Sequence, residues 1–524
     1  MLIEFIYTSP VSVAVIAGLI LLVLWLFDHI FDSRVYDMDK KRIPGPRSNL
    51  YGKNYFNVVH EARRNKRSSE AVKNILIPVL GDGNLCAQNL FGTNIIVISH
   101  PDYVKTILSG SYSKFPKGRR YERLKEFLGE GLITTNGDKW ATHRTMISPG
   151  FHAEVLKHFP TLFSSHSNAM VRRWSEGCTE TGGVKTVDMY QDIADLTLSI
   201  ICDAGFGYTG DSSIASVYAV KIYFEQLRNE MSVKILDPFD WWPVLFPERQ
   251  RRVKTAFSAI QTLMDAIISN RLQEYQTETT ASPSTRPPRD LLDILVQASR
   301  GEEAKLTASE LRDHILTFFA AGHETTATTL LWVFYELVKQ PKFQILCQEE
   351  LDRIFPVKQG EEVVVAYEDI SKCVYLGMVI KEALRLHPPA QMLARRTVEE
   401  CQIGSYRIPP NSILGVCILA VHRRADFWEN PEEFIPDRFH PDNIKGTMKH
   451  PFQYIPFSSG ARNCIGQRFA TLEATTILAL ILRKFTLKIG DEEFKKIRIE
   501  ENLTCGPKNM NIVLVPRFPV TCAP

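Results

Sequence analysis

One stretch of this chain gathers residues suited to thiolate chemistry: Phe457-Ser458-Ser459-Gly460-Ala461-Arg462-Asn463-Cys464-Ile465-Gly466. A cysteine just ahead of a helix sits beside the positive, unpaired N–H groups of the helix end, which favour a thiolate. Gly460 permits a tight turn and Gly466 the close approach of a flat partner. Arg462 is placed to pair with a ligand carboxylate, and Phe457 to shield the sulfur from water. Together they describe a loop offering one thiolate to an anionic, planar, apolar cofactor. The chain has 10 Cys and no CxxC pair. The remaining cysteines read as small buried hydrophobes in a reducing compartment.

A second group is Ala321-Gly322-His323-Glu324-Thr325-Thr326, inside an otherwise apolar helical stretch. A mid-helix glycine costs about 1 kcal/mol relative to alanine. Glu324 and Thr325 place an acid and a hydroxyl side by side, a pairing suited to proton delivery. His323-Glu324 is not half of a zinc-binding HExxH, because Ala327 stands at the second His position. Glu382 and Arg385 fall at i and i+3 on one helix face. Gly81-Asp82-Gly83 and Gly129-Glu130-Gly131 lack the third glycine of a dinucleotide fingerprint, and no GxxxxGK loop occurs. The polypeptide therefore has no evident nicotinamide or flavin site, and electrons must come from outside.

Phe457-x-x-Gly460-x-Arg462-x-Cys464-x-Gly466 resembles the heme-binding signature of the cytochrome P-450 family, and the resemblance covers essentially the whole chain. It looks like a eukaryotic microsomal member. The resemblance implies heme b with Cys464 as the proximal axial ligand; a thiolate there pushes electron density onto iron and promotes O–O cleavage. It makes Ala321–Thr326 the oxygen-activation motif, with room for dioxygen at Gly322 and a proton relay through Glu324 and Thr325. It implies a buried structural triad of Glu382, Arg385 and the Arg438 of Pro436-Asp437-Arg438-Phe439. Trp140 and Arg144 resemble the propionate-binding pair. Arg395 resembles another propionate partner, with Arg396 as the alternative. The run Gly131-Leu132-Ile133-Thr134-Thr135-x-Gly137-x-x-Trp140 looks like family 4 and its relatives, many of which hydroxylate fatty acids. Some of those carry a Glu that bonds covalently to heme; Ala321 stands there, so heme is expected to be noncovalent. Sterols, xenobiotics and other lipids remain open as substrates. Family position assigns the pocket to Leu196–Trp242 and the loop Tyr121–Ile133, with Tyr223-Phe224 and Phe239-Asp240-Trp241-Trp242 at an apolar entrance. The implied partners are NADPH–cytochrome P-450 reductase and cytochrome b5. Lys139 and the neighbourhood of Arg144 are basic residues that would receive an acidic partner, or else a solvated face. The rival activities are a reductase-independent isomerase or dehydratase and a noncatalytic heme sensor; retention of Glu324-Thr325 favours the monooxygenase.

The elements that must position these residues are mostly helical. Thr307-Ala308-Ser309-Glu310 is a capping box, and the helical pattern runs from there to Lys339 before Pro341. Further helices are predicted over 376–387, ended by Pro388-Pro389, and over 465–484 after Cys464. Strand-like residues occur at Ile95–Ile98. The expected fold is mostly α with small β-sheets, the helix-rich triangular prism of the cytochrome P-450 fold, plus an N-terminal transmembrane helix. The uncharged run 5–27 would span about 35 Å as a helix, enough for a bilayer core. Arg34, Lys40, Lys41, Arg42 and Arg47 follow it and no Lys or Arg precedes it, which puts the body on the cytoplasmic side. Residues 28–49 form a basic linker with a Pro44-Gly45-Pro46 hinge. Residues 50–524 form one body, with Thr277–Pro288 as an exposed loop inside it. The reading is a single-pass endoplasmic reticulum protein. With 44% hydrophobic residues and a net charge of +3, the composition is globular and argues against nucleic acid as a partner.

Overall fold

The computed structural model describes residues 38, 39, 41, 43, 84–90, 93–207, 223, 247–277, 290–298, 306–356, 362–501 and 504–518. The predicted anchor over 5–27, the Pro44-Gly45-Pro46 hinge, most of the predicted loop 277–288 and most of 208–242 lie outside them. No helix among the described residues is long and apolar enough to cross a membrane.

In chain order the main elements begin with β1 (Leu85–Leu90), β2 (Thr93–Ile98), α1 (Pro101–Leu108), α2 (Arg119–Leu128) and α3 (Gly137–Ile147). Next come α4 (Phe159–Glu180), β3 (Lys185–Asp188), α5 (Met189–Phe206), α6 (Pro247–Thr277), α7 (Leu291–Ala298), α8 (Ala308–Lys339), α9 (Pro341–Ile354) and α10 (Val374–Leu386). Then follow β4 (Met392–Arg396), β5 (Cys401–Ile403), β6 (Tyr406–Ile408), β7 (Ile413–Cys417) and α11 (Gln467–Lys484). The chain closes with β8 (Phe485–Lys488), β9 (Arg498–Glu501), β10 (Cys505–Lys508) and β11 (Asn511–Pro516). The strands form small sheets ordered β1-β2-β7-β4, β3-β11-β8, β9-β10 and β5-β6.

The capping box predicted for the long helix is formed. Thr307 Oγ1 accepts from Glu310 N at 3.2 Å, and Glu310 Oε2 accepts from Thr307 N at 2.9 Å. From this start α8 runs through the main core and packs on α5, α6, α10 and α11. The third predicted helix starts two residues later than expected, at Gln467, because Gly466 serves as its N-cap. A second core covers the four-stranded sheet, where Ile96, Ile98, Leu414 and Val416 are fully buried.

Glu382 and Arg385 on α10 are both fully buried. The carboxylate accepts from Arg385 Nε and Nη2 at 2.8 Å each, from Arg438 Nε at 3.3 Å and from the Ile435 backbone N–H at 2.9 Å. Arg385 spends its remaining donors on the carbonyls of His422 (2.9 Å), Pro431 (2.7 Å) and Glu433 (2.8 Å). All five guanidinium N–H groups are therefore satisfied. His422 carries the connection onward: Nδ1 donates to Arg385 O at 3.2 Å, and Nε2 accepts from Ile455 N at 2.8 Å. Burial, and then the Arg385 charge, push this imidazole down to about 3. It stays neutral at physiological pH, and its acceptor nitrogen remains available.

Removing Arg385 would leave Glu382 as an unpaired buried charge. Arg385→Ala should cost about 3–5 kcal/mol, read as a lower urea midpoint; a loss below about 1 kcal/mol would mean that the site relaxes or hydrates. A second prediction concerns Glu473 on α11, which is 3% exposed and whose carboxyl burial pushes up to about 8 from 4.5. The folded state favours the neutral acid, so this stabilisation is complete below pH 4.5 and is lost as pH rises toward 8. Glu473→Gln should remove that decline, seen by comparing urea midpoints at both ends of the window; an unchanged decline would assign it to other groups.

Candidate active site

The Cys464 loop is shaped by backbone constraints. Ser458 and Gly460 both take left-handed conformations, at φ 61° and 73°. A Cβ at Gly460 would lie 1.9 Å from Leu108 O, so only glycine fits against the end of α1. Ser458 N donates to Ile455 O at 2.9 Å, Asn463 N to Gly460 O at 3.1 Å and Cys464 N to Phe457 O at 2.9 Å. The loop thus starts at the residue held by His422 and ends at the N-cap of α11. Of the nine cysteines among the described residues, eight are buried and Cys464 is exposed. It opens not to the outer surface but into an internal cavity of about 310 Å³, which Phe457, Arg462 and Gly466 also line. A Cβ at Gly466 would meet nothing within 4 Å, so a flat group can approach here. The predicted helix-end field is present, since the Gly466 N–H and Arg144 both lower the thiol's pKa. Burial outweighs them and pushes it up; a cation bound to the sulfur would favour the thiolate.

One edge of the cavity is cationic. Trp140 and Arg144, four apart on α3, share one face and line the cavity. Arg144 donates to Asn463 O at 3.0 Å and Asn463 Oδ1 at 2.8 Å, which braces the residue next to Cys464. Arg462 donates to Thr135 O at 2.8 Å and Asn136 Oδ1 at 3.1 Å, with its guanidinium 3.8 Å over the Trp140 ring. On β4, period-2 alternation puts Arg395 on the face of Leu393, which lines the cavity. Arg395 is buried while Arg396 is exposed, so of the two alternatives it is Arg395 that joins the cluster. Lys117 was not anticipated. It lines the cavity and donates to Ile133 O at 2.7 Å. Its only sequence signal was the basic run Lys117-Gly118-Arg119-Arg120, which reads equally well as a solvated face.

Burial, then Arg462, Arg395 and Arg144, hold the Lys117 ammonium well below its usual range. Burial, then chiefly Arg395 and Arg144, push Arg462 down to about 9. The charged groups acting on Lys117 are all cations. A buried cluster of like charge is costly unless anions complete it. Two ligand carboxylates, as in heme, fit this edge. By contrast Lys139, read as a docking residue, is already paired with Glu130 at 2.8 Å and Glu310 at 3.0 Å.

The helix α8 presents Ala321, Gly322, Thr325 and Thr326 to the same cavity as Cys464. Thr325 Oγ1 donates to Ala321 O at 2.6 Å. A Cβ at Gly322 would come 3.3 Å from Ile201 Cδ1, so this glycine also lets α5 pack closely. Glu324 and Thr325 point to different sides of α8. Consecutive helical residues point about 100° apart, and Glu324 leaves the main cavity to accept from Thr504 Oγ1 at 3.0 Å. Thr504, from the C-terminal β region, had no sequence signal linking it to the helix. The rest of the wall is apolar, with Leu132, Ile133, Phe151 and Phe318. Of the predicted entrance aromatics, Tyr223 is described; it is 2% exposed, donates to Phe127 O and packs in the core. Phe224 and Phe239–Trp242 lie outside the described residues.

Residues 83–514 match the family model described as Cytochrome P450. Cytochrome P450 4F12 of Homo sapiens is 32% identical over 398 residues, covering 74% of this chain and 75% of that protein. Cytochrome P450 4V2 of Homo sapiens is 31% identical over 427 residues, covering 79% of each. Among solved structures, the crystal structure of the cytochrome P450DA heme domain has a TM-score of 0.76 at 23% identity, covering 91% of this chain and 97% of that one, a likeness of fold. With a lone cysteine opening on a cavity that is cationic at one edge and apolar elsewhere, and with these relatives, the chain belongs to the cytochrome P450 family of heme-thiolate monooxygenases, which bind heme b noncovalently, and within it resembles family 4.

Proposed function

We propose that this chain hydroxylates a hydrophobic substrate, with a fatty acid as the first class to test, according to RH + O2 + 2e− + 2H+ → ROH + H2O. The observation that carries this reading is that Cys464 and Thr325 line one and the same cavity. Cys464 would hold the iron of heme b, and the bound group would supply dioxygen activation. Arg144, Arg395, Arg462 and Lys117 would hold its two carboxylates, with Arg462 kept in place over the Trp140 ring. Phe457 would keep water from the sulfur, and Gly466 would admit the flat ring. With Ala321 at the position where some relatives carry Glu, no carboxylate is available there for a covalent link. Thr325 moves a proton from its hydroxyl and recovers it from Glu324. For this the hydroxyl must turn from Ala321 O toward the cavity, and the carboxylate must turn inward from Thr504. The apolar wall excludes water and favours a substrate that partitions from lipid.

Electrons come from NADPH–cytochrome P-450 reductase, with cytochrome b5 as an accessory donor, because no nucleotide fingerprint is present in the chain. The uncharged run 5–27 anchors the protein in the endoplasmic reticulum membrane as a single pass. The linker 28–49 leads to the catalytic body, 50–524, on the cytoplasmic face. Thr325 on the cavity wall favours this activity over a reductase-independent isomerase or a heme sensor.

Cys464→Ala should abolish the thiolate-type Soret shift of the reduced carbonyl complex; an unchanged spectrum would refute the ligand assignment. Thr325→Ala should raise peroxide release and lower product per NADPH by roughly 100-fold, the lower end of the effect of a positioned proton donor; equal coupling in both proteins removes Thr325 from the relay. Fatty acids of graded length, assayed with reductase under labelled oxygen gas, test the substrate class. Labelled product with another lipid class but with no fatty acid would reassign the substrate.

A further inference from the structure

The face of α8 turned away from the main cavity carries a second polar constellation. Thr504 Oγ1 donates to Glu324 Oε1 at 3.0 Å, and Thr328 Oγ1 lies 2.9 Å from Thr504 Oγ1. A hydroxyl has one proton to donate. Thr504 gives its proton to the carboxylate, so Thr328 donates to Thr504, and the bonds form a directed chain from Thr328 through Thr504 to Glu324. Both threonines are buried, 5% and 6% exposed. Their register is fixed from outside the chain. Trp332 Nε1 donates to Cys505 O at 2.8 Å, and a Cβ at Gly506 would press on Thr328 Cγ2 at 3.2 Å.

This chain borders a small cavity of about 20 Å³ between α5, α8, β9 and β10, which His323, Glu324, Glu500 and Lys508 line together with both threonines. A volume above roughly 10–15 Å³ with several polar partners accommodates one water. The distal helix therefore has an acid facing a water-sized polar cavity on one side and a hydroxyl, Thr325, facing the substrate cavity on the other.

We propose that Thr504 is a positioning residue for the monooxygenase reaction, holding Glu324 at the small cavity, where the carboxylate is recharged with protons before it turns to Thr325. The reaction consumes two protons and two electrons per dioxygen; one oxygen atom enters the C–H bond and the other leaves as water. The electrons are the reductase's, and the protons arrive by this path. When Glu324 takes up a proton it becomes a donor and the two hydroxyl bonds reverse direction; the bond to Thr504 is then no longer charge-assisted and holds the neutral carboxyl less strongly, so that it turns more readily. The inference rests on the roles proposed above for Glu324 and Thr325, and it adds Thr504 as the residue that positions the acid.

The test uses the full chain loaded with heme and assayed with reductase. In the resting protein, without turnover, the carboxyl and carboxylate infrared bands of Glu324 are assigned by their loss in Glu324→Gln. Thr504→Val should shift those bands and raise peroxide formed per NADPH about five-fold, the effect of one hydrogen bond. Thr504→Ser, which restores the hydroxyl, should return both readouts to wild-type values. Thr328→Val should raise peroxide in the same direction and decides the matter if Thr504→Val does not load heme. Wild-type bands and peroxide in Thr504→Val, with Thr325→Ala still uncoupled, would overturn the role of Thr504 and leave that of Thr325 intact. Wild-type coupling in Thr325→Ala would remove the relay itself, and the role of Thr504 with it.

Discussion

The guanidinium of Arg385 is the point to which the rest of the structure is tied. It is fully buried, meets Glu382 through two bonds, and gives its other three donors to carbonyls at 422, 431 and 433. A buried ion pair gains little net stability, because desolving both charges offsets most of their attraction. Its consequence is geometric. Only one arrangement of α10, the segment after β7 and the stretch 430–438 satisfies every donor, and His422 passes that arrangement to Ile455. The Cys464 loop, with left-handed Ser458 and Gly460, then starts from a fixed point. Strained turns of this kind persist where the surroundings over-determine them.

The cationic edge couples the cofactor to that framework. Arg144 braces Asn463 directly, and Arg462 reaches back to Thr135 and Asn136. The groups that face an anionic ligand also hold the cysteine loop against α3. Burial first, and then their mutual repulsion, lowers Lys117 and Arg462, and bound carboxylates would relieve the repulsion. Binding and folding are therefore linked, and whatever binds the native state alone adds to its stability.

The distal helix works as a partition. One face gives Thr325 to the apolar cavity, while another gives Glu324 and Thr328 to Thr504, just ahead of β10. An acid kept on another side of the helix does not expose a charge to the apolar cavity, yet it stands one residue from the Thr325 hydroxyl.

The sequence determined the parts whose signals are local. The cysteine loop, the capping box at Thr307, the proline stops and the pairing of Glu382 with Arg385 depend on residues within a few positions of one another, where helix geometry and turn chemistry fix the outcome. The cofactor class followed from the same loop. Tertiary structure decided what depends on residues far apart in the chain. It placed Lys117 among the arginines, chose Arg395 over Arg396 by strand alternation, and paired Lys139 with Glu130 and Glu310. It also turned Glu324 away from Thr325 to a threonine 180 residues later. Adjacency in sequence places two side chains about 100° apart on a helix, so which cavity each one faces is set by the packing around that helix and not by the residues themselves.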